Sequence, residues 1–311
     1  MKVRSSLNNK RGKIDLQTHS YFSDGTDPPR SIVKRAEALG LKVIALTDHD
    51  TVDGNEEFLK FAKGMNVLTI PGIEFTVADE EELRDIDVLG YFTDLEKYFN
   101  GVQGLRKICQ KIKDARIERT KQIINILNKE KIKINLSEVV HEAGKEAACG
   151  KKHIAKVIMR KNRGQFRNMQ EVFDRYLGAG MKADVPLPFA ITMCESVQII
   201  HSFGGKAVLA HPGVSNGKPP NKNNGIRLMK KAFKYGFDGA EGYYLYHKNR
   251  PYSSPFQINK TQNKRLCEFY INFIQSQNKI ITAGSDYHGK NKNIELGEAC
   301  GEYSLYLNLM L

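Results

Sequence analysis

"IDLQTHSYFSDG", residues 14–25, is the stretch on which the reading of this chain turns. A short apolar entry, alternating through Ile14 and Leu16, runs into a polar cluster that holds His19 and Asp24. Alternation that ends in such a cluster is the pattern of a strand with chemistry at its carboxyl end. A histidine two places before His19 would complete a His-x-His pair, but Gln17 stands there. The segment is therefore an intact metal site, an altered one, or no site.

The same pattern recurs along the chain. Seven short β-rich segments stand out, at 13–17, 43–46, 67–70, 86–92, 207–210, 238–244 and 280–284. Helices are predicted between several of them. Pro28 and Pro29 open one that stops at Gly40, and "VDGNEEFLKFAKG" closes at Gly64, a proline-start and glycine-stop grammar. Thr192 with Glu195 forms a capping box ahead of "SVQIIHSFGG". Strands alternating with helices predict a parallel α/β sheet or barrel. Residues 101–190 break this rhythm, with no convincing strand and many lysines and arginines. There "RIERTKQIINILNKE" sets Ile117, Ile124 and Leu127 on one helical face. We read a helical insertion at 101–190 within a discontinuous domain made of 1–100 and 191–311. "PGVSNGKPPNKNNG", from Pro212, reads as a long exposed loop.

Acids and histidines collect where the strands end. "TDHD" supplies Asp48, His49 and Asp50, "PGIE" supplies Glu74, and Asp87 lies in the fourth strand. "AHPG" supplies His211, the sixth strand carries Glu241, and "GSDYHG" supplies Asp286 and His288. In a barrel of parallel strands the carboxyl ends converge on one rim, so these scattered residues would meet. Their ligand types suit Zn, Fe or Mn. Burying so many acids and imidazoles together without a cation would be very costly.

Composition narrows the setting. The 311 residues carry a formal net charge of +13, which favours anionic partners. No apolar run approaches the roughly 20 residues of a membrane span. The basic start lacks an apolar signal core, and five scattered cysteines include no C-x-x-C. Both features read as a reduced, cytoplasmic protein without membrane association.

Taken in order, "DLQTHSYFSDG", "ALTDHDTVDG", "IPGIEFT", "DVLGYF", "AVLAHPG" and "TAGSDYHG" resemble the PHP (polymerase and histidinol phosphatase) family of metal-dependent phosphoesterases. "GKKHIAKVI" followed by "VFDRYLGAG" is similar to the branch that acts on nucleotide phosphates and RNA 5′ ends. The resemblance implies a distorted seven-stranded, TIM-like (β/α) barrel with an inserted helical subdomain and two to three divalent ions. Gln17 and His19 with Glu74 and Asp286 would frame the first ion. Glu74 would bridge to a second, held with Asp87 and His211; Asp24, His49 and His288 would hold the third. The family usually has histidine where Gln17 and Asp87 stand, and a glutamine carbonyl is the weaker ligand.

The implied reaction is hydrolysis of a nucleotide or 5′-phosphorylated RNA ester by a metal-activated water. Asp48, beside His49, would orient the latter. His247 would protonate the leaving group or bind phosphate. In "GKKH", Lys151 takes the family's arginine position, Lys152 its proline and His153 its histidine, which makes Lys151 and His153 substrate-binding residues. Arg116, Arg119, Arg163 and Arg167 read as solvated helix surface. Two rival readings stay open: a binding descendant weakened by the altered ligands, and a metal-dependent amidohydrolase.

Overall fold

The computed structural model describes residues 12–77, 86–144, 149–214, 222–249 and 258–310. Its first half interleaves β1 (Lys13–Asp15), α1 (Pro29–Ala38), β2 (Val43–Leu46), α2 (Gly54–Phe61), β3 (Leu68–Val77) and β4 (Ile86–Phe92). The helical stretch comprises α3 (Leu95–Lys129), α4 (Leu136–Ala143), α5 (Lys151–Lys161) and α6 (Met169–Val172), the last continuing as a π-helical turn through Leu177. The alternation then resumes with α7 (Met193–Ser202), β5 (Gly205–Leu209), α8 (Lys222–Lys234), β6 (Gly239–Tyr243), α9 (Lys260–Ser276) and β7 (Ile280–Ala283). A short β8 (Gly301–Glu302) and α10 (Tyr303–Met310) follow.

The seven strands lie side by side in chain order, and β8 adds to β1 antiparallel. Beyond β1 and β7 the chain continues the pairing, with Leu16 N–H donating to Ala283 O at 2.9 Å and His19 N–H to Tyr287 O at 2.8 Å. These bonds bring the first and seventh strands together and nearly close the barrel. One expectation is corrected here: β4 runs antiparallel to both β3 and β5. Hydrophobic alternation reports a strand but not its direction, so the sequence pattern alone implied parallel pairing. The reversal matters for the site. It brings the amino end of β4, with Asp87, to the rim where the other strands finish, and Thr76 pairs with Asp87 in the β3–β4 register.

Alternation sorts the core into layers. Val43 and Ala45 join a cluster with Ile14, Leu16, Ile70, Leu89, Tyr91 and Val208, which α10 covers through Tyr303 and Leu309. Ile44 and Leu46, on the opposite face of β2, pack instead with Ile32, Val33 and Ala36 of α1 and Phe58 of α2. Each Val, Leu, Ile or Phe among them, fully buried, contributes about 1.5–3 kcal/mol. Helix α1 starts at Pro28 and Pro29 and ends before Gly40, whose φ of +71° only glycine adopts without strain. The Thr192–Glu195 capping box is formed, with Glu195 N–H donating to Thr192 Oγ1 at 3.2 Å. The predicted loop after Pro212 is shorter than expected. Lys222–Gly225 already belongs to α8, and residues 215–221 of that loop lie outside the described residues.

Helix α3 spans two environments. Tyr98, Leu105, Cys109 and Ile112 pack into the barrel's outer layer. Ile123, Ile124 and Leu127 belong to a separate cluster built from residues 123–183 alone, with Ile117 packed against it. The helical stretch thus has its own core, and it begins to part from the barrel midway along α3. Among the described residues no helix is long and apolar enough to cross a membrane.

Candidate metal centre

The rim opens with the loop that the opening motif encodes. Asp48 fastens it: the carboxylate accepts from Ser20 N–H at 2.7 Å, Ser20 Oγ at 2.7 Å and Ser23 Oγ at 2.6 Å. Gly25 is required in the same turn, because a Cβ there would stand 2.2 Å from the His19 carbonyl oxygen. The loop thus presents His19 and Asp24 to the interior. This corrects the reading of Asp48, whose three bonds go to the serine loop and none to His49. The error has a simple source, since neighbours on an extended chain point to opposite faces.

Glu74, at 0% exposure, stands in the middle. Its Oε2 lies 3.0 Å from His19 Nε2 and 3.9 Å from His49 Nε2, and its Oε1 lies 3.3 Å from His211 Nε2. Asp87 Oδ2 is 3.6 Å from the same His211 nitrogen. Asp286 Oδ1 approaches His19 at 3.4 Å and His288 Nδ1 at 3.3 Å, and Asp24 Oδ1 approaches His288 Nε2 at 2.9 Å. The rings of His19 and His288 stack at 4.1 Å, and those of His19 and His49 at 4.6 Å. His211 and Asp286, which follow β5 and β7, have φ of 25° and 58°. Non-glycine residues held there store strain, as is common where side chains must be aimed.

These side chains fit a cluster of cations. His19, Asp24, His49 and His288 form one group whose ligand atoms all lie within 4.8 Å of one another; His19, Glu74 and Asp286 form a second, and His49, Glu74 and Asp87 a third. The grouping differs from the expected one: His49 stands with Glu74 and Asp87 where His211 was expected, His19 also joins Asp24, His49 and His288, and His211 meets the centre only through its approaches to Glu74 and Asp87. Several ligand atoms, including both His19 ring nitrogens, Asp24 Oδ1 and His49 Nδ1, are buried without a hydrogen-bond partner. Such atoms are costly unless something meets them.

The electrostatics follow from the crowding. Burial opposes a charged His19, yet the close carboxylates of Asp286 and Glu74 outweigh it and raise the imidazole to about 10. His211 is raised to about 9 against its burial, by Glu74 and Asp87. His288 goes the other way, to about 4, through burial with the charges of Lys292 and His19 adding to it. Burial would raise Glu74, but His49, His19 and His211 bring it well below the usual carboxylate range. Glu241, buried beside the other acids, is pushed well up. Since folded values above 6.5 stabilise the metal-free chain below pH 6.5, that contribution is lost as pH rises through about 9–10. Metal uptake must displace the same protons. Metal-free protein should therefore melt at lower temperature as pH rises from 7 to 10, while Mn²⁺ affinity rises; calorimetry in buffers of different ionisation enthalpy should detect the proton release.

Gln17 lies in this centre, but not as expected. Its Nε2 donates to both Glu74 oxygens at 3.0 Å, and its Oε1 is buried without a partner. The amide serves as a clamp on Glu74 in this arrangement. Turning it over would set two oxygen acceptors against each other unless a cation lay between them.

The substrate-side residues divide. Lys151 is bound to Asp184 at 2.6 Å. His153, buried, accepts from Gly150 N–H at 3.1 Å through Nδ1 and so caps its own helix. Burial and neighbouring Lys152 lower it to about 4, against the opposing charge of Asp24. His247 follows β6; its backbone N–H donates to Asn263 at 3.1 Å, while both ring nitrogens are buried without partners. Arg163 and Arg167 are exposed as expected. Arg116 and Arg119 are not: both are buried, and Arg116 pairs with Asp50 at 2.5 Å. Three contacts to the metal groups were not foreseen. Lys152 reaches Asp24 at 2.9 Å, while Lys292 and Tyr244 reach Asp286 at 2.5 and 2.7 Å. Lys152 stood inside a quoted motif, and Lys292 only six residues past Asp286, which is the one signal that could have found it.

The profile of the PHP domain matches residues 15–187. This chain belongs to the PHP domain family. Over 92% of its length the PHP chain is 32% identical to a 5′-3′ exoribonuclease of Haemophilus influenzae, covering 93% of that protein. It is 28% identical to a 3′,5′-nucleoside bisphosphate phosphatase of Chromobacterium violaceum, over 64% of this chain and 67% of that one. Its fold is similar to a Bifidobacterium adolescentis protein described as a metal-dependent phosphoesterase, with a TM-score of 0.70, 24% identity and coverage of 96% and 95% of the two chains. Within the PHP frame Gln17 becomes testable. Gln17→His should tighten Zn²⁺ binding by about tenfold, the order typical of ligand-environment changes. Identical titrations of stripped wild type and variant would show that position 17 does not meet a metal.

Proposed function

We propose that this PHP chain is a metal-dependent phosphoesterase that hydrolyses phosphate esters of nucleotides or of the 5′ ends of short RNA. The observation that carries the reading is the convergence of three overlapping ligand groups on Glu74 and its neighbours at the barrel rim. His19, Asp24, His49, Glu74, Asp87, His211, Asp286 and His288 would hold two to three divalent ions, Mn, Zn or Fe, with Gln17 beside them. Bound there, such ions supply positive charge to the phosphoryl oxygens and make a water acidic enough to serve as nucleophile at neutral pH.

The remaining roles fall to the chain's own groups. Asp48 fixes the loop that aims His19 and Asp24. Tyr244 donates to Asp286 and holds its carboxylate in one orientation. The unsatisfied ring of His247 is available to donate a proton to a leaving oxygen or to bind phosphate. The helical subdomain approaches the rim through Arg116 and Lys152, which suits it to bear the substrate's nucleotide side. The net charge of +13 favours an anionic polymer on that side.

A panel tests this reading. With Mn²⁺, stripped and reloaded protein should release phosphate or mononucleotide from a 3′,5′-nucleoside bisphosphate or a 5′-phosphorylated oligoribonucleotide, and leave amide substrates intact. Binding of these RNAs without turnover at full metal loading would favour a non-catalytic descendant, and amide cleavage would favour an amidohydrolase.

A further inference from the structure

Two lysines stand on opposite sides of His288. Lys152, in the first turn of α5, places Nζ 2.9 Å from Asp24 Oδ2, while Asp24 Oδ1 faces His288 Nε2 at 2.9 Å. Lys292, just past the 3₁₀ turn Gly289–Asn291, places Nζ 2.5 Å from Asp286 Oδ2, while Asp286 Oδ1 faces His288 Nδ1 at 3.3 Å. The contacts run in one line: Lys152, Asp24, His288, Asp286, Lys292. Each carboxylate gives one oxygen to the imidazole side and the other to an ammonium.

The lysines are placed to change partners. Their side chains are 27% and 29% exposed, whereas those of Asp24 and Asp286 are 16% and 5% exposed. They therefore reach the solvent from which a ligand enters. A pair whose ammonium stays open to water is held less tightly than one buried on both sides. Asp24 and Asp286 would hold the lysines less tightly still once they served as ligands to a divalent ion. A terminal phosphate then offers the ammoniums nearly two negative charges and three acceptor oxygens. An internal phosphodiester offers one charge and two free oxygens. The lysines come from separate parts of the chain, one on the helical subdomain and one on the barrel, and each meets a carboxylate that faces His288.

We propose that Lys152 and Lys292 form a two-armed clamp for a terminal phosphate, held by Asp24 and Asp286 in the metal-free chain and turned to the anion once metal binds. The proposal rests on the phosphoesterase reading and adds the residues that select a phosphate terminus.

The test uses full-length protein and two probes, Mn²⁺ and inorganic phosphate, with Lys152→Met, Lys292→Met and the matching arginine variants. Calorimetry of stripped protein should show Mn²⁺ binding unchanged or several-fold tighter in the methionine variants, because a competing cation is gone. Phosphate binding to Mn²⁺-loaded protein should weaken about tenfold in each, the scale of one charge-assisted contact. Arginine at either position should restore most of it. Lysines that only prop the ligands would instead lower both affinities, and that result overturns the clamp. So does wild-type phosphate affinity in both methionine variants. Failure of the broader reading looks different: wild-type protein loaded with Mn²⁺ would neither bind phosphate nor hydrolyse its esters.

Discussion

Glu74→Gln should abolish hydrolysis of phosphate esters, with a loss of about 10³-fold or more, the scale seen when a charge aimed at a transition state is removed. Glu74 belongs to two of the three ligand groups and lies within 4 Å of His19, His49 and His211. Glutamine has the same shape and removes only the charge and one acceptor. It leaves an amide beside the Gln17 amide where a carboxylate met it. Metal analysis should show the loss of at least one ion per chain, because the two groups that Glu74 joins lose their shared anion. Assay of the reloaded variant on a 5′-phosphorylated oligoribonucleotide checks the rate. Activity within tenfold of wild type would remove Glu74 from the centre of the account.

Arg116→Met should act on stability and domain contact rather than on chemistry. The guanidinium pairs with Asp50 at 2.5 Å, and the two side chains are 11% and 1% exposed. Asp50 Oδ1 also accepts from Thr76 N–H at 3.1 Å, and Asp50 itself sits at a φ of 53° next to His49. Removing one partner leaves a buried carboxylate uncompensated, which typically costs about 3–5 kcal/mol. Denaturant titration should show a lower midpoint of that order. Arg116→Met with Asp50→Asn should recover part of the loss, because the orphaned charge is then gone too. Equal stabilities of wild type and Arg116→Met would mean that the ion pair does not dock α3 on the barrel.

The sequence carried much of this because strand ends are local features. Histidines and acids after short alternating runs, as at His19, His49, His211 and Asp286, are visible in the sequence itself, and the glycine-stop grammar located α1 and α2. What stayed hidden depends on contacts far apart in the chain. Arg116 looked solvated because its helix is rich in charge, and its partner Asp50 lies 66 residues away. Lys151 and Lys152 are neighbours, yet one residue turns a helix by about 100°, so which one faces the pocket depends on how α5 docks. The direction of β4 could not be read from alternation, and so neither could the arrival of Asp87 at the rim. At Gln17 the residue type was legible; which end of its amide meets Glu74 was not.

Activity measured against bound metal tests the central claim most directly. Protein stripped with chelator and titrated with Mn²⁺ should show no hydrolysis of 5′-phosphorylated RNA at the start. Turnover should then rise in step with ions bound per chain and saturate when the sites fill. Full turnover by stripped protein with no bound ion detectable would contradict the account.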